Sequence, residues 1–252
     1  MTATRFAATV SYDGTAFVGS QVQPNGRTVQ GELERAAAAL FGQTVRVSMA
    51  GRTDSGVHAI GQVAAFDVET RLDAATAGRA LNAHLAEDVA VRDVREVPAG
   101  FDPRRCARRR WYRYTIWNGE SRSPLSRRTA WHCEGTFALQ EMVAAAEALA
   151  GRRDFSACSG PLEAGRTPVR TVFRAGWHRE GDALLFDIEA DAFLPQMVRR
   201  LVGALVRVGR GSLKVEELVL LVEQAQPGTI GPVAPPHGLC LQHVEYAEGY
   251  TV

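Results

Sequence analysis

The sequence predicts an α+β protein whose sheets are largely antiparallel. Stretches with helical spacing of apolar residues are interspersed with strand-like stretches in which apolar and polar residues alternate. The length of 252 residues, 46% of them hydrophobic, allows one large domain or two small ones. The sequence contains neither a repeat at fixed spacing nor a clear linker. Two lobes sharing a sheet are therefore as plausible as two separate domains.

The first half opens with a strand and continues with a capped helix. Apolar side chains alternate along residues 5–12 before Asp13-Gly14 breaks the pattern, which predicts a half-buried strand and a turn. Thr28 is placed to cap a helix that Gly42 terminates. The other elements predicted in this half are strands at residues 45–50 and 62–68 and a helix at residues 74–85.

The second half repeats this mixture. Residues 111–117 are rich in aromatic and β-favouring side chains and predict a strand. After a segment containing Gly, Ser and Pro, the predicted elements are a helix at 139–150, strands at 169–177 and 184–190, and helices at 195–208 and 213–225. Alternation within the strands implies that helices cover one sheet face and leave the other partly open.

Several classes of protein are excluded by composition. The first residues lack the apolar region of a secretory signal, and no stretch approaches the ~20 apolar residues of a membrane span. We therefore expect a cytoplasmic protein without a membrane partner. The four cysteines lie far apart without a C-x-x-C pair, which indicates neither a zinc site nor a disulfide framework. Reduced thiols are expected in that compartment.

The basic residues are unevenly distributed, although 29 basic against 28 acidic side chains leave a net charge of only +1. Lys214 is the only lysine, so nearly all of the basic residues are arginines. Residues 101–130 carry nine arginines and two acidic residues. A protein that is neutral overall and strongly basic in one stretch is typical of a local polyanion site.

The most specific motif is Ala-Gly-Arg-Thr-Asp-Ser-Gly-Val-His-Ala at residues 50–59, directly after a predicted strand. Its two glycines allow backbone geometry or close approach that a side chain would block. Asp54, beside Arg52, is positioned to stay ionised and act as a nucleophile or base. An Asx-type turn, in which Asp54 bonds its own backbone, is an equally good local explanation. A metal site formed with His58 lacks further ligands.

A second motif interleaves arginines with aromatic residues at 108–117. Along a strand, Tyr112 and Tyr114 share one face, while Trp111 and Arg113 share the other. One face would offer rings to a flipped-out base while the flanking arginines hold phosphates. The alternative is a core strand surrounded by solvated arginines, but three consecutive arginines favour contact with nucleic acid.

The third motif, at residues 193–203, opens an amphipathic helix. Pro195 suits the first helical turn. Arg199 lies close to the helix start, where the helix dipole opposes a cation, so helix stability does not explain it. A pairing with a carboxylate elsewhere in the chain explains this arginine, and an ordinary surface position is the alternative.

Taken together, these motifs resemble those of the tRNA pseudouridine synthase A family, over nearly the whole chain. Residues 51–59 are similar to the catalytic signature of that family. Further similarities follow in the same order and spacing at residues 12–15, 21–23, 28–30, 33–34, 61–62, 81–82, 112–114, 154–156, 169–171, 193–199, 202–203, 209–211 and 238–241.

The resemblance implies an isomerase that detaches uracil from ribose at N1 and reattaches it through C5, at positions 38, 39 and 40 in the anticodon stem-loop of tRNA. It implies Asp54 as the nucleophile or base, and Arg199 paired with Asp54. It also implies one tyrosine of the 111–117 strand stacked on the flipped-out uridine; the sequence leaves both Tyr112 and Tyr114 open, and we favour Tyr112. The other implied catalytic or substrate contacts are Arg52, which would help to extrude the uridine, and Gln21, Thr53, His58, Arg109, Arg110 and Tyr114.

The resemblance also implies a homodimer and a pseudouridine-synthase fold of two similar α/β halves with the active-site cleft between them. Residues 1–105 would carry the aspartate, and residues 106–252 the tyrosine strand and the Arg199 helix. An isomerisation has no net redox change and transfers no external group, so we expect no cofactor and no metal. The carboxylate would attack the ribose carbon, attack the base, or remove a ribose proton, and the sequence does not choose among these routes.

The chain departs from the family pattern at a few positions. Ser20 stands where the family usually has Trp, and Pro195-Gln196 replaces Tyr-His. Arg200 stands where Asn is common, and Cys106 falls near a usual Ser. These departures concern the RNA path more than the reaction. Two other functions remain open: a non-catalytic tRNA-binding or folding module, and a carboxylate-dependent nucleosidase or RNA glycosylase that would release free uracil.

Overall fold

The chain folds into two compact units. The first comprises Met1–Arg108 together with Leu241–Val252, and the second comprises Arg109–Cys240. The computed structural model describes residues 2–160, 162, 165 and 167–247. The end of the chain thus returns to the first unit, and the predicted division after residue 105 stays a prediction.

The described part of the first unit combines two helices with an antiparallel sheet. In chain order its elements are β1 (Thr2–Tyr12), α1 (Val29–Phe41), β2 (Val47–Met49), β3 (His58–Thr70), α2 (Ala74–His84) and β4 (Val89–Glu96). The strand β1 lies between β3 and β4 and is antiparallel to both. Phe6 of β1 lies opposite Phe66 of β3, which places both rings in the buried core.

The ends of α1 follow from the residues that the sequence offers. The Thr28 side chain accepts a hydrogen bond from the Gly31 N–H, and Gly42 ends the helix with a φ of 65° in the left-handed region. Both features satisfy backbone groups that a helix end leaves unpaired. The predicted start and end of this helix are confirmed.

In the described part of the second unit, three α-helices accompany largely antiparallel strands. Its elements are β5 (Ala107–Trp117), β6 (Trp131–His132), α3 (Leu139–Glu147), β7 (Gly151–Asp154), β8 (Val169–Glu180), β9 (Ala183–Ala190), α4 (Met197–Gly209) and α5 (Val215–Glu223). The sheet order is β5-β9-β8-β7, with β6 parallel to β5. The last strand, β10 (Leu239–Tyr246), lies next to β3.

One face of these strands forms the core of that unit. Tyr112 and Tyr114 lie opposite Ile188 and Phe186 on β9, and all four side chains are buried. The helices α3 and α4 add buried apolar side chains, chiefly Met142, Ala145, Leu201 and Leu205. The predicted α+β class with mainly antiparallel sheets is confirmed.

Some predicted boundaries differ from those in the structure. The helix α4 begins at Met197 and not at Pro195, because Gln196 has a φ of 60° and so interrupts the helical conformation. The strands β4, β6, β7 and β10 were not predicted. In β4, charged residues follow the first apolar positions on the outer edge of the sheet, so the chain there lacks a regular alternation.

The cysteines are free thiols. Burial raises the pKa of Cys133 to about 11 and that of Cys158 to about 12, so both stay protonated and unreactive at neutral pH. None of the helices in the described part of the chain combines the length and apolarity needed to cross a membrane.

Candidate active site

Asp54 lies in the loop that joins β2 to β3, which we call the aspartate loop (residues 50–57). The strand β3 anchors the beginning of this loop. The Ala50 N–H donates to the Val63 carbonyl oxygen at 2.9 Å, and the fully buried Gln62 side chain donates from Nε2 to the Gly51 carbonyl oxygen at 2.9 Å. The loop therefore leaves the sheet from a fixed position.

The aspartate loop packs against the chain that follows β1, residues 13–20. Gly14 is required there, because a Cβ at this position would lie 2.1 Å from the Val57 carbonyl oxygen. Gly19 has a φ of 125°, and a Cβ at this position would likewise lie close to the Thr53 carbonyl oxygen. The two glycines thus allow the backbones of the two segments to lie side by side.

Thr53, the residue before Asp54, is held by three hydrogen bonds. Its N–H donates to Ser20 Oγ at 2.8 Å, and its carbonyl oxygen accepts from the Ser20 N–H at 3.1 Å. Its hydroxyl is 2.8 Å from the Tyr12 hydroxyl. Thr53 and Ser20 are buried, so the structure places Thr53 among the supports of Asp54.

The turn from Asp54 to Val57 is closed by main-chain hydrogen bonds. The Val57 N–H donates to the Asp54 carbonyl oxygen at 3.2 Å. The Gly56 N–H, which an Asx turn would direct to the Asp54 side chain, instead donates to the Phe17 carbonyl oxygen at 3.4 Å. The Ser55 hydroxyl donates to the same oxygen at 3.1 Å. These bonds argue against the Asx-turn alternative.

Exposure differs among the candidate residues of this unit. Asp54 is partly exposed, whereas Arg52 and Gln21 are exposed. Within the part of the chain that the structure describes, no hydrogen bond or ion pair involves the Arg52 guanidinium. A carboxylate reachable from solvent with an exposed cation two residues away suits a site that receives a polyanion.

His58 occupies the first position of β3 and is buried. Its Nδ1 accepts a hydrogen bond from the Gly14 N–H at 3.0 Å and lies 3.2 Å from an Asp13 carboxylate oxygen. These contacts hold the beginning of the 13–20 segment, and the predicted contact of His58 with substrate stays a prediction.

In the second unit, the structure distinguishes the two candidate tyrosines. Tyr114 is fully buried, and its hydroxyl donates to the Pro235 carbonyl oxygen at 2.9 Å. Burial raises the pKa of Tyr114 well above its usual value, and the nearby Arg199 guanidinium opposes this rise only in part. Tyr112 is 7% exposed, and its ring meets Phe193 edge-on at 5.1 Å. Tyr112 is thus the better candidate to face a substrate.

The opposite face of β5 carries a different cluster. The Asp187 carboxylate accepts two hydrogen bonds of 2.9 Å from Arg113 and one of 2.8 Å from Trp111 Nε1. This pairing raises the pKa of Arg113. The cluster lines an open cavity of about 810 Å³ together with Phe173 on β8. Trp111 and Arg113 are therefore separated by the sheet from any base stacked on Tyr112.

The arginines of residues 101–130 fall into two groups. Arg110 is buried and donates from Nη1 to the Asp191 carbonyl oxygen at 2.5 Å, and Arg113 is partly buried against Asp187. The other seven are exposed: Arg104, Arg105, Arg108, Arg109, Arg122, Arg127 and Arg128. Arg109 stacks over the Phe173 ring at 4.5 Å. Adjacent arginines of the Arg108-Arg109-Arg110 run thus have different surroundings.

Arg199 lies in the first turn of α4 and is tied to residues 230–234. Its Nε donates to the Ala234 carbonyl oxygen at 2.8 Å, and its own carbonyl oxygen accepts from the Ala234 N–H at 3.1 Å. Gly203, one turn further, permits this close packing, because a Cβ there would lie 1.9 Å from the Pro232 carbonyl oxygen. The orientation of the Arg199 side chain is thereby fixed within its unit.

Comparison with known proteins identifies the class to which this fold and these motifs belong. A family model described as tRNA pseudouridine synthase matches residues 8–104 and 145–247. The chain belongs to this family. The matched residues include Asp54 and Arg199 and leave out the tyrosine strand.

Relatives named tRNA pseudouridine synthase A match almost the whole chain. The protein from Geobacter sulfurreducens is 44% identical over 239 residues, covering 94% of this chain and 97% of its own. That from Myxococcus xanthus is 42% identical over 246 residues, covering 97% and 93%. That from Geotalea uraniireducens is 40% identical over 237 residues, covering 94% and 97%. The family resemblance inferred from the motifs is confirmed.

The sequence reasoning did not identify some residues that hold the site. Ser20 and Tyr12 bond Thr53 across 33 and 41 residues of sequence. Ser20 was noticed only as a departure from the family pattern. The regular alternation in β1 indicated the buried position of Tyr12, but nothing in either local sequence indicated Thr53 as the partner. Phe193 was part of a recognised motif, but its contact with Tyr112 was not foreseen.

Proposed function

We propose that this chain converts uridine to pseudouridine in tRNA, with Asp54 as the nucleophile or base. Membership of the tRNA pseudouridine synthase family supports this reaction. The observation that carries the assignment of Asp54 is its place in the aspartate loop, where the flanking backbone is held by buried hydrogen bonds while Asp54 stays partly exposed. Such a carboxylate is held in place and is still accessible to a nucleobase of the substrate.

The reaction is balanced within the substrate. The bond between uracil N1 and ribose C1′ breaks, a bond between C5 and C1′ forms, C5 loses its proton, and N1 gains one. The Asp54 carboxylate is suited to attack ribose C1′, to attack the base, or to remove a ribose proton. No redox partner or external group is needed.

The other proposed roles divide between binding and orientation. Tyr112 stacks on the flipped-out uridine, and the edge of Phe193 holds the Tyr112 ring. Arg52 helps to extrude the base, which costs a few kcal/mol of unstacking. Arg199 pairs with Asp54, which accounts for a cation in the first turn of α4. Contacts of Gln21, Thr53, His58, Tyr114, Arg109 and Arg110 with the substrate are secondary proposals.

We also propose which region of tRNA is modified and which oligomeric state the enzyme adopts. The targets would be positions 38, 39 and 40 in the anticodon stem-loop, and the enzyme would act as a cytoplasmic homodimer. Exposed arginines support binding of an RNA backbone. Pseudouridine mapping in tRNA from cells with and without the gene, and sedimentation of the purified protein, test these two statements.

The reaction is tested with an anticodon-arm transcript labelled with tritium at uridine C5. The isomerase releases tritium, produces no free uracil, and leaves RNA of unchanged mass except for the exchanged hydrogen. Free uracil would indicate a glycosylase. Binding without tritium release by the wild-type chain would indicate a non-catalytic RNA-binding module and refute the proposal.

A further inference from the structure

We propose that Ser20 is a positioning residue for Asp54. The inference rests on the proposed function, because it concerns the geometry of the same aspartate. The resemblance to the family predicts Trp at this position, and an indole has a donor but no acceptor. The hydrogen bond that Ser20 Oγ accepts is therefore a feature of this chain and not of the family pattern.

Each hydrogen-bonding group of Thr53 has a partner in the first unit. Ser20 bonds both main-chain polar groups of Thr53, at 2.8 Å to its N–H and 3.1 Å to its carbonyl oxygen. Tyr12 bonds the Thr53 hydroxyl at 2.8 Å. All three hydrogen-bonding groups of the residue before Asp54 are thus held, and two of them by Ser20.

The contact between Ser20 and Thr53 is buried. Ser20 is 0% exposed and Thr53 is 8% exposed, so water has little access to the Thr53 N–H if the Ser20 hydroxyl is removed. A buried N–H without an acceptor is unfavourable, and the backbone moves to find one. That movement would occur next to Asp54.

Ser20 is itself held by the start of α1. Its carbonyl oxygen accepts a hydrogen bond of 2.9 Å from the Gln30 N–H in the first turn of α1. Gly19 accepts one of 3.4 Å from the Val29 N–H. The helix start, Ser20 and Thr53 therefore form a continuous set of contacts that ends at Asp54. Ser20 does not touch the substrate in this account and acts only through Thr53.

The test replaces Ser20 by Ala, which removes the acceptor, and by Thr, which keeps it. We expect Ser20→Ala to lower kcat by roughly 10- to 100-fold, because small displacements of a reacting group have effects of this size. The KM for the tRNA transcript stays within about twofold, since no RNA contact is removed. Ser20→Thr restores most of kcat. If Ser20→Ala does not fold, Ser20→Cys keeps the shape with a weak acceptor and shows an intermediate kcat.

The matched control is Asp73→Ala, which removes the side-chain cap that accepts from the Thr76 N–H at 2.8 Å at the start of α2. It lowers the melting temperature and leaves kcat unchanged. Wild-type kcat in folded Ser20→Ala or Ser20→Cys overturns the inference, as does a folded Ser20→Thr no more active than Ser20→Ala. An inactive wild type, or an active Asp54→Asn, overturns the proposed function instead, so the two failures are distinguishable.

Discussion

Gly14 occupies a position in the first unit where the side chain of any other residue would meet the backbone of the aspartate loop. The Cβ of an alanine would lie 2.1 Å from the Val57 carbonyl oxygen. The same residue donates its N–H to His58 Nδ1. Gly14 thus fixes the distance between the 13–20 segment and the loop that carries Asp54.

We expect Gly14→Ala to destabilise the protein by roughly 1–3 kcal/mol, the usual cost of overpacking, and to lower kcat as the loop shifts. Urea unfolding and tritium release measure the two effects. The control is Gly100→Ala, because nothing lies within 4 Å of a Cβ at that position. Equal stability of Gly14→Ala and the wild type would contradict the close packing.

At this scale the sequence predicted those features that depend on neighbouring residues. The cap at Thr28 and the terminator at Gly42 use groups only a few residues away, and both are confirmed. Asp54 was recognised from the motif around it. The contacts of Ser20 and Tyr12 with Thr53 were not predictable, because folding alone brings these distant residues together.

In the second unit, the surroundings of a candidate residue depend on which face of its strand it occupies. The two-residue period of β5 was read from the sequence, and the structure confirms that Tyr112 and Tyr114 share the buried face. Which of the two is fully enclosed depends on Pro235 and Gly238, far along the chain. The period of a strand therefore predicts the face but not what covers it.

The start of α4 depends on its contact with residues 230–234. Alanine in a helix interior is normally more stable than glycine by roughly 0.5–1 kcal/mol. At Gly203 we expect the opposite sign, a loss of roughly 1–3 kcal/mol, because the new Cβ would lie 1.9 Å from the Pro232 carbonyl oxygen. The displaced segment would also release the Ala234 contact of Arg199 and lower kcat.

Urea unfolding of Gly203→Ala and of Gly176→Ala provides the comparison. Gly176 lies in β8, and nothing lies within 4 Å of a Cβ there, so its replacement does not lower stability and raises it by at most roughly 1 kcal/mol. A Gly203→Ala variant more stable than the wild type would show that α4 does not pack against residue 232 as described.

For the whole molecule, the net charge of +1 conceals two kinds of arginine. Seven of the nine arginines in residues 101–130 are exposed, while Arg110 is buried and Arg113 is partly buried. The sequence predicted the cluster, but it did not predict this division, since burial depends on the strand face and on the acceptors at Asp187 and Asp191.

We expect Arg127→Ala combined with Arg128→Ala to weaken tRNA binding about tenfold at low salt and to leave kcat unchanged. Loss of two phosphate contacts should reduce the slope of log Kd against log salt by about 2. Filter binding between about 50 and 200 mM salt measures both quantities. The control removes two other exposed arginines, Arg46 and Arg71. If the control variant bound tRNA as weakly as the test variant, only the total charge of the protein would matter for binding.

The most direct test of the account is tritium release from C5-labelled anticodon-arm RNA by Asp54→Asn, with tRNA affinity measured on the same preparation. The substitution removes the charge of Asp54 and preserves its shape, so we expect turnover to fall by at least about 10³-fold while Kd stays within about twofold. Measurable turnover near the wild-type rate in Asp54→Asn would contradict the central role given to this carboxylate.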